Sequence, residues 1–320
     1  PTTIKEVHER GWDELDIIIF SGDAYIDHPA FGPAVIGRIL EAEGYRVGIV
    51  PQPNWRDDLR DFKKLGKPRL FFAVSAGAMD SMVNHYTANL RLRSNDAYTP
   101  GGKAGFRPDR TVDTYSKILK RLYPHTPVVI GGLEASLRRF AHYDYWDDKV
   151  RRSVLLDSRA DLLIYGMGDT VIREEARAMR NGFNMKLLRG LRQVGFVADK
   201  EYVEKLYSGK SIVLNSYERC CEDKHSFGEN FVRMETLSNM MECDTTLIEP
   251  TGDRFVVITP PHATLTTEEL DHSFDLPYTR LPHPRYKDKM IPAYEMIKHS
   301  INIHRGCFGG CSFCTISAHQ

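Results

Sequence analysis

Asp16-Ile17-Ile18-Ile19-Phe20-Ser21-Gly22-Asp23 sets four consecutive large apolar residues between an acidic start and a small, polar end. An apolar run this short with no polar alternation suits a strand buried on both faces. Four further runs follow the same plan. Arg46 to Val50 is closed by Pro51 and Pro53, and Leu70-Phe71-Phe72-Ala73-Val74 ends at Ser75-Ala76-Gly77. Val128-Val129-Ile130 enters Gly131-Gly132, and Leu162-Leu163-Ile164-Tyr165 enters Gly166-Met167-Gly168-Asp169.

Helical patterns separate these runs. Val35, Ile36, Ile39 and Leu40 share a face that Gly44 terminates. Thr111 reads as the N-cap of a helix using Tyr115, Ile118, Leu119 and Leu122, and Thr170 as the cap of one running to about Asn181. Strands alternating with helices predict a parallel sheet covered on both faces, an α/β doubly wound, flavodoxin-like domain over residues 1–182. In such sheets ligands gather beyond the carboxyl ends of the strands. Those ends here are Ser21-Gly22-Asp23, Ser75-Ala76-Gly77, Gly131-Gly132 and Gly166-Met167-Gly168. The same small residues also suit any tight strand-to-helix turn.

Beyond Gly182 the pattern changes to an α+β connecting region, 183–276. Thr245 to Glu249 and Arg254 to Thr259 flank Pro250-Thr251-Gly252-Asp253, a hairpin turn. Thr266-Thr267-Glu268-Glu269 fits a capping box. Pro277, Pro282, Pro284 and Pro292 mark a linker over 277–297. From Lys298 to His304 an apolar-polar alternation predicts a strand that presents a cysteine loop, the two forming a final unit, 298–320.

That loop, His304-Arg305-Gly306-Cys307-Phe308-Gly309-Gly310-Cys311-Ser312-Phe313-Cys314, carries the chemistry. Three thiolates at C-x3-C-x2-C spacing can meet three corners of an iron-sulfur cube and leave the fourth iron to an exchangeable ligand. A zinc site would need His304 or His319 as a fourth ligand. A four-thiolate electron carrier would need Cys220, Cys221 or Cys243.

Cys307, Cys311 and Cys314, with Phe313 in the aromatic place, resemble the C-x3-C-x-aromatic-C signature of the radical S-adenosylmethionine (radical SAM) superfamily. The string Ile303 to Thr315, together with the N-terminal part, resembles the YgiQ-type group within it. The resemblance implies a 4Fe-4S cluster on the three cysteines and S-adenosylmethionine chelating the fourth iron. It also implies reductive cleavage to a 5'-deoxyadenosyl radical, with Phe313 beside the adenine and an electron donor such as flavodoxin or ferredoxin. The chemistry would sit in a partial (β/α) barrel needing on the order of 150 to 200 more residues, by analogy with complete barrels of about 250. The sequence is therefore expected to be a fragment, with the acid-base residues of the barrel, and so the substrate, unread.

A sheet domain ahead of a radical SAM loop also resembles cobalamin-dependent members. Their D-x-H-x-x-G ligand motif is not met, since Asp27-His28-Pro29-Ala30-Phe31-Gly32 has the residue types at the wrong spacing. A non-catalytic module binding cobalamin or a partner is the alternative reading. His28 could orient a ligand or cap a turn, and Glu134 with His142-Tyr143-Asp144-Tyr145-Trp146 could line a pocket or pack.

Composition narrows the rest. The 320 residues hold 43 basic and 43 acidic side chains, so no global field advertises nucleic acid or an anionic membrane. No apolar run approaches the roughly 20 residues a bilayer span needs. Six cysteines, three of them in one motif, suggest a reducing cytoplasm rather than a disulfide framework. No G-x-G-x-x-G follows the first strand, and Gly101-Gly102-Lys103 lacks Walker spacing, which demotes dehydrogenases and ATPases.

Overall fold

A computed structural model describes residues 1–206, 210–240, 242–306 and 311. The five apolar runs form strands β1 (Ile17–Ser21), β2 (Val47–Pro51), β3 (Phe71–Ser75) and β4 (Val128–Gly131), and, after a small antiparallel ribbon of β5 (His142–Asp144) and β6 (Lys149–Arg151), β7 (Leu162–Ile164). These five pair in parallel in the spatial order β2-β1-β3-β4-β7. Counting only this parallel set, the order is 2-1-3-4-5, with the chain reversing direction across the sheet between β1 and β3.

Alternate residues feed opposite cores, as the period of two along a strand requires. Ile18, Phe20, Phe72, Val74 and Ile130 pack with Val112, Tyr115 and Leu119 of helix Thr111–Leu122. Ile17, Ile19, Phe71 and Val129 pack instead with Val35 and Ile39 of helix Gly32–Ala42 and Ile172 of helix Asp169–Arg180. Each large apolar side chain so buried contributes about 1.5–3 kcal/mol. Phe20 stacks on Phe62 at 5.2 Å, and Phe62 meets Tyr115 edge-on at 5.4 Å, fixing the first layer.

The sheet continues past residue 182. Strands β8 (Val194–Ala198), β9 (Ser211–Val213), β10 (Thr246–Thr251) and β11 (Arg254–Ile258) extend it in the order β7-β8-β11-β10-β9, giving nine strands. The β7-β8, β8-β11 and β11-β10 pairs are antiparallel, and the expected hairpin is β10-β11. The capping box forms as read: the Thr266 hydroxyl accepts from the Glu269 amide at 3.2 Å, and the Glu269 carboxylate accepts from the Thr266 amide at 2.9 Å.

Three local expectations are corrected. Thr111 is the first helical residue rather than a cap, because its hydroxyl donates to the Pro108 carbonyl at 3.1 Å. Asp169 likewise starts its helix after Gly168, one residue before Thr170. Residues 300–305 form no strand, since no neighbouring segment among the described residues pairs with them, and a lone strand leaves its backbone groups unmet.

The proline-rich stretch is fastened to the N-terminal part of the chain. The Asp27 amide donates to the Leu281 carbonyl at 3.1 Å, the His283 amide to the Tyr25 carbonyl at 3.0 Å, and the Tyr25 amide to the Tyr286 hydroxyl at 3.1 Å. Ile291 and Ala293 complete a third small core with Ala24, Ile26, Phe31 and Ala34. No helix among the described residues is long and apolar enough to cross a membrane.

Candidate functional site

A crevice of about 450 Å³ opens beyond the carboxyl ends of β3, β4 and β7 and beside Ile19 of β1, at the place where the parallel order reverses. Its floor is made by Ser75, Gly77, Gly131, Gly132, Gly166 and Gly168, so three of the four strand ends singled out in the sequence converge on it. Gly132, at φ 83°, has no room for a side chain, because a Cβ there would lie 2.7 Å from the Ser75 hydroxyl. Helix Gly32–Ala42 supplies an apolar wall through Val35 and Ile36.

The fourth strand end does something else. Asp23 is buried under Arg107, whose guanidinium reaches Asp23 at 2.7 Å, Asp96 at 3.1 Å and the Ala76 carbonyl at 2.9 Å. Burial pushes the Asp23 carboxyl upward while Arg107 pulls it back. The Asp23 carboxylate also accepts the Ala78 amide at 2.7 Å, tying the turn after β1 to the turn after β3. Arg107 comes from the irregular Arg93-to-Arg110 passage, where no periodicity announces burial. Its only signal in the sequence is a lone arginine among turn residues.

The peptide leading into the cysteine loop lies at the mouth of this crevice. Asn302, Arg305 and Gly306 line it. Arg305 grips both oxygens of Asp169 at 2.7 and 2.8 Å, its guanidinium lies 5.4 Å from the Phe274 ring, and Ser273 donates to Asp169 at 3.0 Å. Asp169 is the first residue of the helix after β7, so its charge is also favoured by the helix N-terminus. Two buried polar atoms at the mouth, Asn302 Oδ1 and Arg305 Nη2, have no hydrogen-bond partner among the described residues. Buried groups of this kind cost free energy unless a ligand or water meets them.

Cys311 is exposed. Cys307, Phe313 and Cys314 lie outside the described residues, as do Gly309 and Gly310. Among the described residues no group of three or more His, Cys, Asp or Glu side chains is placed to hold a metal. The donor set of the loop still fits an iron-sulfur cluster: thiolates alone, beginning one residue after Gly306, which adopts φ 79°. Of the other cysteines, Cys220 is buried, with the Asn230 amide 3.2 Å from its sulfur, and burial pushes its thiol up to about 11. Cys243 lines a different cavity.

His28 is fully buried and does not line the crevice. Its Nδ1 accepts the Ala30 amide at 3.1 Å, which is a turn-closing role, and burial holds its pKa below the usual imidazole range. Glu134 is buried as well, and its carboxylate accepts the Ser81 amide at 3.0 Å and the Val112 amide at 2.9 Å. It thereby caps two helices at once, a task left unread in the sequence because both partners are distant in the chain. Of the aromatic cluster, Tyr143 and Tyr145 are exposed, and Asp144 is paired with Arg110 at 2.6 Å.

Comparison with known proteins adds the following. The family model described as "Radical SAM N-terminal" matches residues 1–300. A UPF0313 protein of Porphyromonas gingivalis is 58% identical over all of this chain and 50% of its own length. One of Bacteroides thetaiotaomicron is 59% identical over all of the chain and 53% of its own length. A third, from Geobacter sulfurreducens, is 50% identical over all of the chain and 52% of its own length. The chain thus spans about half the length of these relatives. Among solved structures, the radical S-adenosylmethionine methyltransferase TsrM of Kitasatospora setae, with tryptophan substrate and a SAM analogue bound, is similar at 14% identity. That match has a TM-score of 0.37 and covers 72% of this chain and 47% of that one.

Proposed function

This chain belongs to the Radical SAM N-terminal family, and we propose that it forms the N-terminal half of an enzyme that cleaves S-adenosylmethionine reductively at a 4Fe-4S cluster held by Cys307, Cys311 and Cys314. The observation that carries the reading is the Arg305–Asp169 pair, which fastens the peptide two residues before Cys307 at the mouth of the strand-end crevice. When bound and reduced, such a cluster supplies the electron that breaks the sulfonium bond.

The residues described here position and shield. Asp169 fixes Arg305, and the Ser273 hydroxyl and the helix N-terminus hold the Asp169 side chain in place. Asn302 Oδ1 and Arg305 Nη2 offer an acceptor and a donor to a bound small molecule. The glycine floor lets that molecule approach backbone closely, and the apolar wall excludes water. Phe313 is the residue we assign to the adenine side, and the external electron donor is a flavodoxin or ferredoxin. A reducing cytoplasm is the compartment this chemistry needs.

The test uses the protein at the length of its relatives, reconstituted with iron and sulfide without oxygen. After reduction and addition of S-adenosylmethionine, 5'-deoxyadenosine is expected. Its absence at a fully loaded cluster rejects the reading.

A second reading is favoured by the parallel order 2-1-3-4-5 and its crevice. Here a flavodoxin-like module binds a corrinoid or a partner and does no chemistry itself. Because His28 Nδ1 closes its own turn, any corrinoid would be held without His28 on cobalt. Incubation with hydroxocobalamin and desalting should leave a corrinoid spectrum on the protein if this holds; a colourless product refutes it.

A further inference from the structure

A second cavity, of about 410 Å³, lies on the other side of the β7 end, and Met167 lines both. Its walls come from the turn after β7 (Tyr165, Met167), Gln193 just before β8, Leu247 of β10, Ile258 of β11, the helix Lys224–Ser238 and the segment 261–265. Met234, Leu237, Met240, Leu247 and Leu265 give it an apolar body. No aspartate or glutamate is among the described residues that line it.

Arg139 lines this cavity and is 8% exposed. Its Nη1 donates to the Ser136 carbonyl at 2.6 Å, its Nε has no hydrogen-bond partner, and no carboxylate among the described residues pairs with it. Aromatic faces are its remaining company, with the guanidinium 5.1 Å from the Tyr165 ring centre and 5.8 Å from that of Phe140. Such contacts offset only part of the cost of burying a cation.

Gln193, Thr259 and His262 of the wall are engaged. Gln193 Nε2 donates to the Tyr165 carbonyl at 2.6 Å and the Met167 carbonyl at 2.8 Å, and its Oε1 accepts the His262 amide at 3.2 Å. The Thr259 hydroxyl is bonded to Val194, and His262 Nε2 lies 3.1 Å from Glu174. Gln193 keeps this role at φ 61°, an unusual backbone for a non-glycine residue. Among the described residues that line the cavity, the Arg139 guanidinium is the one full charge without a counter-charge.

We propose that this cavity binds a small organic anion, its carboxylate or phosphate on the Arg139 guanidinium and its apolar body against Met234, Leu237 and Met240. The guanidinium is the side chain best shaped to hold such a group through paired hydrogen bonds. No described residue from 302 onward lines this cavity.

The test is calorimetric titration of the full-length protein with phenylacetate, phenyl phosphate, inorganic phosphate and, as the uncharged control, benzyl alcohol. At least one aryl anion is expected to bind roughly 10- to 100-fold more tightly than benzyl alcohol, the range a hydrogen bond to a charged group supplies. Which aryl anion binds more tightly assigns the head group as carboxylate or phosphate. Arg139→Met should lower the anion to the level of the alcohol, and Leu237→Trp, which puts a larger side chain into the cavity, should abolish both. The inference is overturned if no aryl anion binds at millimolar concentration, if the alcohol binds as well, or if inorganic phosphate matches phenyl phosphate. It is also overturned if a folded Arg139→Met or Leu237→Trp variant binds the anion unchanged.

Discussion

At the scale of single residues, the turns after β1 and β3 are locked by contacts that admit no additional atom. A Cβ on Gly22 would stand 2.3 Å from the Ala76 carbonyl oxygen, which is backbone and cannot step aside. Gly22→Ala is expected to cost about 3 kcal/mol, read as a lower urea midpoint with unchanged slope. A wild-type midpoint would show that the two turns part easily. Glu175 is a second such point: fully buried, with neither carboxyl oxygen hydrogen-bonded, it is pushed up to about 8 by burial, and Asp161 adds to the shift. An unfolded glutamate releases its proton near 4.5, so between these values the folded state holds the extra proton. The stability tied to that proton is fully present below pH 4.5 and is lost as pH rises through about 8. Glu175→Gln should flatten the fall by an amount on the order of a few kcal/mol, seen as a higher melting temperature at pH 8 than the parent's. Parallel stability curves for the two proteins would contradict this. Neither Arg107 nor Glu175 could be read as buried from the sequence, because a charged residue inside an irregular passage or an amphipathic helix is solvated far more often than enclosed.

Elements were legible where period and composition agreed. The five parallel strands are short apolar runs ending on small residues, and their alternation with helices left one architecture to choose. Helix starts were misplaced by one residue at Thr111 and by two at Thr170, since the hydroxyl or carboxylate that satisfies a first turn can come from a remote segment, as Glu134 does for Val112. The proline-rich stretch carried no sign of where it docks, because its partners, residues 25 to 27, are more than 250 positions earlier. Asp27 is the fastener: its carboxylate takes Arg38 at 3.0 and 2.5 Å and the Thr279 amide at 2.8 Å. Asp27→Asn should weaken the attachment by about 2–3 kcal/mol, since a hydrogen-bonded, half-enclosed charge pair loses one member. Hydrogen exchange at residues 279–283 is then expected to quicken by roughly tenfold or more while β1 and β3 stay protected. Unchanged exchange there would mean that the third core alone holds the stretch.

For the whole molecule, one nine-stranded sheet holds a strand-end crevice, and the path of the chain brings the lead into the cysteine loop back to that crevice from the opposite end of the sequence. The C-x3-C-x2-C spacing stands in the sequence itself; the crevice mouth does not, since Asp169 and Arg305 meet only in the folded state. What the proposed function requires of the chain itself is that it hold iron through three cysteines. The most direct measurement is the iron content and Mössbauer spectrum of the anaerobically reconstituted full-length protein and of its Cys307→Ala, Cys311→Ala and Cys314→Ala variants. The account predicts about four irons per wild-type chain with a cluster signature, and loss of both in each variant. Variants that keep the wild-type iron and spectrum would contradict it.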